Sequence, residues 1–146
     1  MKQSEKFKVG IIQLAFSKNP DDNLKKAVNW IEKAADKGAR VICLPELFRS
    51  QYFCQSENID YFDLAETIPG PSTEAIGKIA KRKKVVVVVP LFEKRAAGLY
   101  HNSLAVINTK GEVAGIYRKM HIPDDPAYYE KFYFNHLKLS MEILEH

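Results

Sequence analysis

The first 44 residues alternate between two patterns of hydrophobic and polar positions. Residues 7–16 are rich in β-branched and aromatic types, which indicates a strand, and residues 40–44 form a second, short apolar run. Between them, apolar residues recur at three- and four-residue spacing, which predicts a helix that buries one face. Asn19 suits the N-cap of this helix, and Pro20 suits its first position. The order strand, helix, strand predicts a parallel crossover unit, so the predicted fold class is α/β.

The rest of the pattern extends this unit into a mixed sheet. Residues 72–83 predict a second amphipathic helix with Ser72 as its cap. The continuous apolar run at residues 85–91 favours a central strand covered on both faces. Residues 100–107 and 113–118 flank a turn-forming stretch, which predicts a hairpin. Because two long helices are enough to cover only one face of this sheet, we expect a layer to be missing from the other face.

Composition and charge fit one soluble domain. Of the 146 residues, 46% are hydrophobic and 27% are charged, as in globular proteins. The net charge of +4 comes from cations interspersed with acids, which argues against a nucleic-acid partner. The N-terminus is polar and no apolar run approaches the ~18 residues of a membrane span, so we expect no membrane partner and a cytoplasmic location. Two cysteines do not form a disulfide framework, and the sequence shows no metal-ligand spacing or phosphate-binding loop.

Three polar residues lie at positions where α/β proteins often have catalytic residues. Glu46 follows a buried strand and Lys119 follows the last predicted strand, and strand ends open onto ligand crevices. Glu130 lies within an aromatic stretch, where burial could adapt a carboxyl group to catalysis. Each residue also has an ordinary alternative. Glu46 could pair with Arg49 on a solvated loop, and Lys119 could be one more surface lysine. Glu130 could pair with the neighbouring Lys131.

The two cysteines and His121 are weaker candidates for catalytic residues. Cys43 lies inside a strand and is interpreted as a small buried hydrophobe. Cys54 lies on the loop that carries Glu46, but nothing in the sequence brings its thiol to that carboxylate. His121 could carry protons or stabilise the scaffold, and the scaffold role is favoured for an isolated histidine.

Short motifs in this sequence, read together, resemble those of a known family. They are LPELF at residues 44–48, YRKMH at 117–121 and YEK at 129–131. In this order and at these strand ends they resemble the nitrilase superfamily of carbon-nitrogen hydrolases. Within that superfamily, YFCQ at residues 52–55 and HIPDDP at 121–126 look most like the N-carbamoylputrescine amidases.

The resemblance implies a division of labour in the site. Glu46 would be the general base, Lys119 would stabilise the oxyanion, and Glu130 would support them. The substrate would be a linear amide or carbamoyl amine, such as N-carbamoylputrescine, which gives putrescine, carbon dioxide and ammonia in polyamine biosynthesis. No cofactor is implied. The residues expected to contact the substrate are Phe48, Tyr52, Phe53 and His121.

The nucleophile of the family does not carry over to this sequence. In the family, a cysteine follows a further strand and a threonine-proline-glycine-aspartate turn, and residues 135–146 match neither. The resemblance therefore implies the N-terminal half of a four-layer α-β-β-α sandwich, with a partial hydrolase domain at residues 1–134 and a divergent tail. Such a chain should have little or no activity alone. The alternative is a non-catalytic fragment that self-associates as a homo-oligomer or binds a full-length homologue.

Overall fold

A mixed five-stranded sheet forms the centre of the computed structural model, which describes residues 6–135. The strands lie side by side in chain order, the first three parallel and the last three antiparallel. The predicted α/β class and the predicted hairpin are therefore confirmed. The strand bounds are β1 Lys8–Ile11, β2 Ala39–Cys43, β3 Val86–Ala96, β4 Leu99–Ile107 and β5 Val113–Arg118.

The first helix, α1 Pro20–Asp36, begins where the sequence predicts. The Asn19 side chain accepts hydrogen bonds from the backbone N–H groups of Asp21 and Asp22, at 2.9 and 3.3 Å. These bonds satisfy two of the donors that every helix leaves free at its N-terminus. Just beyond the helix, Gly38 has a φ of 87°, a left-handed conformation that glycine adopts without strain.

The second helix, α2 Pro71–Lys83, begins one residue earlier than predicted. The prediction that Ser72 caps this helix is wrong. The cap is Gly70, whose backbone N–H donates to the Thr73 hydroxyl at 2.8 Å. The physical reason is Pro71, which has no N–H to satisfy and suits the first position of a helix. Ser72 instead lies in the first turn, where its hydroxyl donates to Glu66 at 2.6 Å.

Both helices pack against the same face of the sheet and form the main core with it. The longest predicted apolar run supplies alternate residues to this core, since Val87 and Val89 are fully buried. The next two residues of that alternation, Leu91 and Glu93, are buried as well, so β3 extends beyond the predicted strand. By contrast, β1 is shorter than residues 7–16, because its ladder with β2 reaches no further than the amide of Ile12, which donates to Cys43 at 3.0 Å.

On the other face of the sheet, called the open face below, neither α1 nor α2 packs. Strand register places apolar side chains there in cross-strand rows. Ile11 is 84% exposed on this face. The face that we expected to lack a covering layer is therefore an apolar, partly exposed surface. Its members are Val9, Ile11, Val41, Cys43, Val86, Val88, Leu104, Val106 and Tyr117.

A second, aromatic cluster lies under the loop that follows β2 and anchors the short helix α3 Glu130–Tyr133. Phe53 stacks on Phe92 with ring centroids 5.0 Å apart and meets the edge of Tyr133 at 4.9 Å. The Tyr133 hydroxyl donates to the Ser56 carbonyl at 2.6 Å. These contacts tie α3 to the loop. Within residues 6–135, no helix combines the length and the apolar character needed to cross a membrane.

Candidate active site

Chain turns at the ends of two strands bring the predicted polar residues to one place. Glu46 lies three residues beyond the end of β2, and Lys119 directly follows β5. The chain turns sharply after Glu46, since Leu47 has a φ of 49°, a left-handed conformation that is uncommon for residues other than glycine. Lys119 continues the ladder with β4, because its backbone N–H donates to the Asn102 carbonyl at 2.8 Å.

The Lys119 ammonium lies between two carboxylates. Its Nζ atom is 3.2 Å from Glu46 Oε1 and 2.9 Å from Glu130 Oε2. The side chain of Asn102 donates to Glu46 Oε1 at 2.7 Å, and the hydroxyl of Tyr52 donates to Glu130 Oε1 at 2.9 Å. The structure thus joins the three residues that the sequence singled out and adds a hydrogen-bond donor to each carboxylate.

The ordinary alternatives for these residues do not match the contacts observed. Arg49 forms its ion pair with Asp21 at 3.3 Å. Lys131 forms its ion pair with Asp124 at 3.5 Å. Lys119 is half-buried and bound by two carboxylates, unlike an ordinary surface lysine.

The electrostatics of this network keep Lys119 charged and Tyr52 neutral. Burial by itself lowers the pKa of Lys119, but the hydrogen bond to Glu130 and the charge of Glu46 outweigh burial and raise it. Burial and the neighbouring Glu130 carboxylate raise the pKa of Tyr52, so its hydroxyl stays a donor. The two carboxylates differ in access, since the Glu46 side chain is 52% exposed and that of Glu130 only 3%.

Glu46 and Lys119 line a shallow hollow of ≈ 220 Å³. Leu104 and Tyr117, which belong to the open face, line it too. The hollow therefore opens toward the side of the sheet that lacks a covering layer. An accessible carboxylate beside a fixed ammonium is suited to moving a proton next to a site where negative charge develops.

The residues predicted to contact substrate are distributed differently. Tyr52 belongs to the network described above. Phe48 is fully buried in the helix-side core, where its ring meets Phe16, and Phe53 is buried in the aromatic cluster. Neither phenylalanine lines the hollow. His121 is exposed. For these three residues the substrate role stays a prediction without support from the geometry.

Sequence reasoning missed Asn102. This residue is buried in the middle of β4, and it contacts Glu46 through its side chain and Lys119 through its backbone. The signal was present, because His101, Asn102 and Ser103 interrupt a strand that is otherwise apolar or aromatic. A polar run inside a buried strand requires hydrogen-bond partners.

A buried ion pair, also missed, lies beside the site. Arg118 precedes Lys119 and points to the opposite face of the sheet, where its guanidinium binds the Glu93 carboxylate with two hydrogen bonds of 2.6 and 2.7 Å. Ser103 donates a further hydrogen bond to Glu93. Because Arg118 joins β5 to β3 across β4, it fixes the strand end from which Lys119 extends.

Cys54 is fully buried beneath the site. Burial, together with the charges of Glu130 and Glu46, raises the pKa of its thiol to about 12. A thiol of this kind stays protonated near neutral pH and is a poor nucleophile. Within residues 6–135, no group of three or more histidine, cysteine, aspartate or glutamate side chains could hold a metal ion.

We expect the native Cys54 thiol to resist alkylation. In a Cys43→Ser variant at pH 8, its thiolate fraction, and hence its labelling rate with iodoacetamide, should be about a thousandfold below that of an ordinary cysteine. Mass spectrometry of labelled protein measures this rate, and unfolding in urea should abolish the protection. The matched Cys54→Ser variant reports Cys43 alone. Labelling of native Cys54 at the rate seen in urea would contradict the expectation.

Comparisons with known proteins identify the family of this chain. The family model for carbon-nitrogen hydrolases matches residues 8–145, and the chain belongs to the carbon-nitrogen hydrolase family. The resemblance to the nitrilase superfamily is therefore confirmed, and the fold is an α/β half of that architecture.

Three relatives show where the similarity lies. The chain is 41% identical over 131 residues to the N-carbamoylputrescine amidase of Oryza sativa, covering 89% of this chain and 43% of the relative. It is 41% identical to the citrullinase of Francisella tularensis, with 88% and 45% covered. The crystal structure of a carbon-nitrogen hydrolase from Helicobacter pylori superposes with a TM-score of 0.84 at 43% identity, with 90% and 45% covered. The chain thus spans less than half the length of these relatives.

Proposed function

We propose that this chain supplies the Glu46, Lys119 and Glu130 part of an amidase site that hydrolyses a carbamoyl amine. The observation that carries the proposal is the position of Lys119 between the two carboxylates, at the edge of a hollow that opens toward the open face. Two relatives at equal identity support the substrate class, since N-carbamoylputrescine and citrulline are both amines that carry a terminal carbamoyl group. N-carbamoylputrescine is the proposed substrate.

The proposed reaction begins with an attack by a thiol. Glu46 takes the proton of the thiol, and the sulfur bonds to the carbamoyl carbon. Lys119 stabilises the oxyanion that develops on the carbamoyl oxygen. The oxyanion then collapses, ammonia leaves with the proton, and a carbamoyl thioester remains. A water molecule activated by Glu46 cleaves this thioester and regenerates the thiol. The released carbamate decomposes to putrescine and carbon dioxide.

Supporting residues hold this arrangement in place. Asn102 occupies one lone pair of Glu46 Oε1, so Oε2 is the oxygen left to accept the proton. Glu130, bound by the Tyr52 hydroxyl, holds the Lys119 ammonium in a fixed position. A preorganised charge of this kind stabilises a developing oxyanion without having to reorient during the reaction.

None of these 146 residues is proposed as the nucleophile. The only cysteines are Cys43 and Cys54. Cys43 is not among the residues that line the hollow with Glu46 and Lys119, and Cys54 is buried with a pKa raised to about 12. Neither is suited to form the thioester, so the 146-residue chain by itself should not turn over substrate.

Ammonia release from N-carbamoylputrescine tests the proposal. The purified chain should release none above the buffer background. A chimera in which residues 8–134 replace the matching segment of the rice amidase should release ammonia. If the chain alone releases ammonia and Cys54→Ser abolishes this activity, the proposal that the chain lacks the nucleophile is contradicted. A folded but inactive chimera would contradict the assignment of the site.

The alternative function is a non-catalytic fragment that self-associates or binds a full-length homologue. The observation that favours it is the open face, where Ile11 and Tyr117 are exposed. Exposed apolar patches of this kind commonly mark interaction surfaces. A homo-oligomer would then form through this face. Sedimentation equilibrium showing a folded monomer at every concentration would argue against it.

Three further proposals rest on the sequence. They are a cytoplasmic location, a role in polyamine biosynthesis, and the division into a hydrolase part at residues 1–134 and a divergent tail at 135–146. Apart from Asn135, the tail lies outside the described residues. Asn135 itself pairs with Tyr100 through a backbone hydrogen bond of 2.8 Å.

A further inference from the structure

The edge of the sheet at β1 is unpaired within the described residues. β2 is the one strand that neighbours β1 in the sheet order. The amide of Ile12 donates toward β2, to the Cys43 carbonyl at 3.0 Å. Because backbone groups alternate in direction along a strand, those of Val9 and Ile11 point away from β2 to the free edge. Exposed edges of this kind are templates for pairing with another strand.

A groove runs between this edge and helix α1. It encloses ≈ 420 Å³, with Gly10 and Ile11 on the strand side and Trp30 and Ala34 on the helix side. Gly10 permits the close approach of helix and strand, because a Cβ atom there would lie 3.3 Å from the Ala34 Cβ. A strand added to β1 would therefore place the side chains on its helix side over the apolar surface of this groove.

The groove carries positive charge. Lys8, Lys33 and Lys37 line it, and no aspartate or glutamate is among the lining residues. The Lys33 ammonium lies over the Trp30 ring, 4.7 Å from its centroid, and Lys8 donates to the Lys37 carbonyl at 3.2 Å. A negatively charged side chain entering the groove would meet these lysines.

These observations together define the partner. Side chains of an added strand alternate between the two faces of the sheet. One set would continue the apolar surface formed by Val9 and Ile11, and the other set would face Trp30 and the lysines. We propose that the β1 edge binds an extended segment of another polypeptide in which apolar and acidic residues alternate. A second copy of this chain fits less well, because two β1 edges would bring the same lysines together.

Binding of a designed peptide tests the proposal. The probe is acetyl-Thr-Val-Glu-Val-Glu-Val-Thr-amide, titrated into the ¹⁵N-labelled 146-residue chain and followed by NMR. We expect shifts at the Val9 and Ile11 amides and at the Trp30 indole, together with slower hydrogen exchange of the two amides. A control peptide with lysine in place of glutamate should bind about tenfold more weakly or worse, a difference of about 1.4 kcal/mol.

Charge reversal in the protein separates the groove from the overall charge. Lys33→Glu should weaken binding of the acidic peptide by about tenfold, while Lys78→Glu, the same change at an exposed site on α2, should alter it less than about twofold. Amide spectra of both variants verify that they fold. Equal effects of the two variants, equal binding of the two peptides, or shifts confined to other parts of the chain would overturn the proposal. So would dimerisation through β1 in the absence of peptide.

Discussion

Replacing Glu46 by glutamine is expected to lower the kcat of the chimera with the rice amidase by about a thousandfold, a typical contribution for a general base. Glutamine fills the same space and can still accept the hydrogen bond from Asn102, but it cannot take a proton from a thiol. Because substrate binding is largely retained, the KM should change much less than kcat. Ammonia release over a range of N-carbamoylputrescine concentrations measures both constants.

The matched control for this change is Glu74→Gln. Glu74 is exposed in the first turn of α2, on the helix side of the sheet, so the same loss of charge there should leave kcat within about twofold. Retention of more than a tenth of the wild-type kcat in the Glu46→Gln chimera would contradict the role of general base. Equal losses in both variants would point to a general effect of charge.

Replacing Arg118 by methionine is expected to lower the unfolding free energy of the 146-residue chain by about 3 kcal/mol, the lower end of the range for breaking a buried ion pair. The variant leaves the Glu93 carboxylate, whose side chain is 3% exposed, without its guanidinium partner. The partial exposure of Arg118 is the reason for choosing the lower end. Urea unfolding followed by circular dichroism measures the change.

The dependence of this effect on pH has a definite sign. Burial by itself raises the pKa of Glu93, but the hydrogen bonds from Arg118 and Ser103 outweigh burial and hold it below its ordinary value of 4.5. A lowered folded-state pKa contributes stability above the unfolded pKa, and this stability is lost as the pH falls through the folded value. Without Arg118, burial raises the pKa of Glu93, so the variant regains stability as Glu93 takes up a proton. The difference between wild type and Arg118→Met should therefore be largest at and above neutral pH and shrink on acidification, until the pH has fallen through the lowered pKa of the wild type.

Two controls separate the buried pair from surface charge. Arg82→Met removes a pair with Glu32 on exposed helix surfaces, and it should change the unfolding free energy little. The double variant Glu93→Gln with Arg118→Met should recover part of the loss, because no buried charge is left unpaired. A loss in Arg118→Met no larger than in Arg82→Met would contradict the prediction.

Local sequence patterns predicted most of the helices and strands of the fold. The start of α1 followed from Asn19 and Pro20, and the hairpin of β4 and β5 followed from two apolar runs around a turn. The errors also have local causes. The cap of α2 was misplaced because Ser72 is a better cap by type than Gly70, while Pro71 decides where the helix begins. The length of β3 was underestimated because Glu93 is a charged residue in a buried position.

The sequence predicted only some residues of the candidate site. Glu46 and Lys119 were found because strand ends are marked in the sequence, and Glu130 was found because it is an acid within an aromatic stretch. The same reasoning did not find Asn102, nor the ion pair between Glu93 and Arg118. These residues act through partners on other strands, and the partners depend on register, which hydrophobic patterns constrain only to alternate residues.

The sequence by itself therefore determined the α/β class, the face of each helix that is buried and the polar residues at strand ends, because these depend on periodicity and on neighbours along the chain. The tertiary structure alone decided that Lys119 lies between Glu46 and Glu130 at hydrogen-bond distance. It also decided that Cys54 is buried beneath them. The physical reason is that a contact between residues about 70 positions apart depends on how the strands are ordered and aligned, which is a property of the packed sheet.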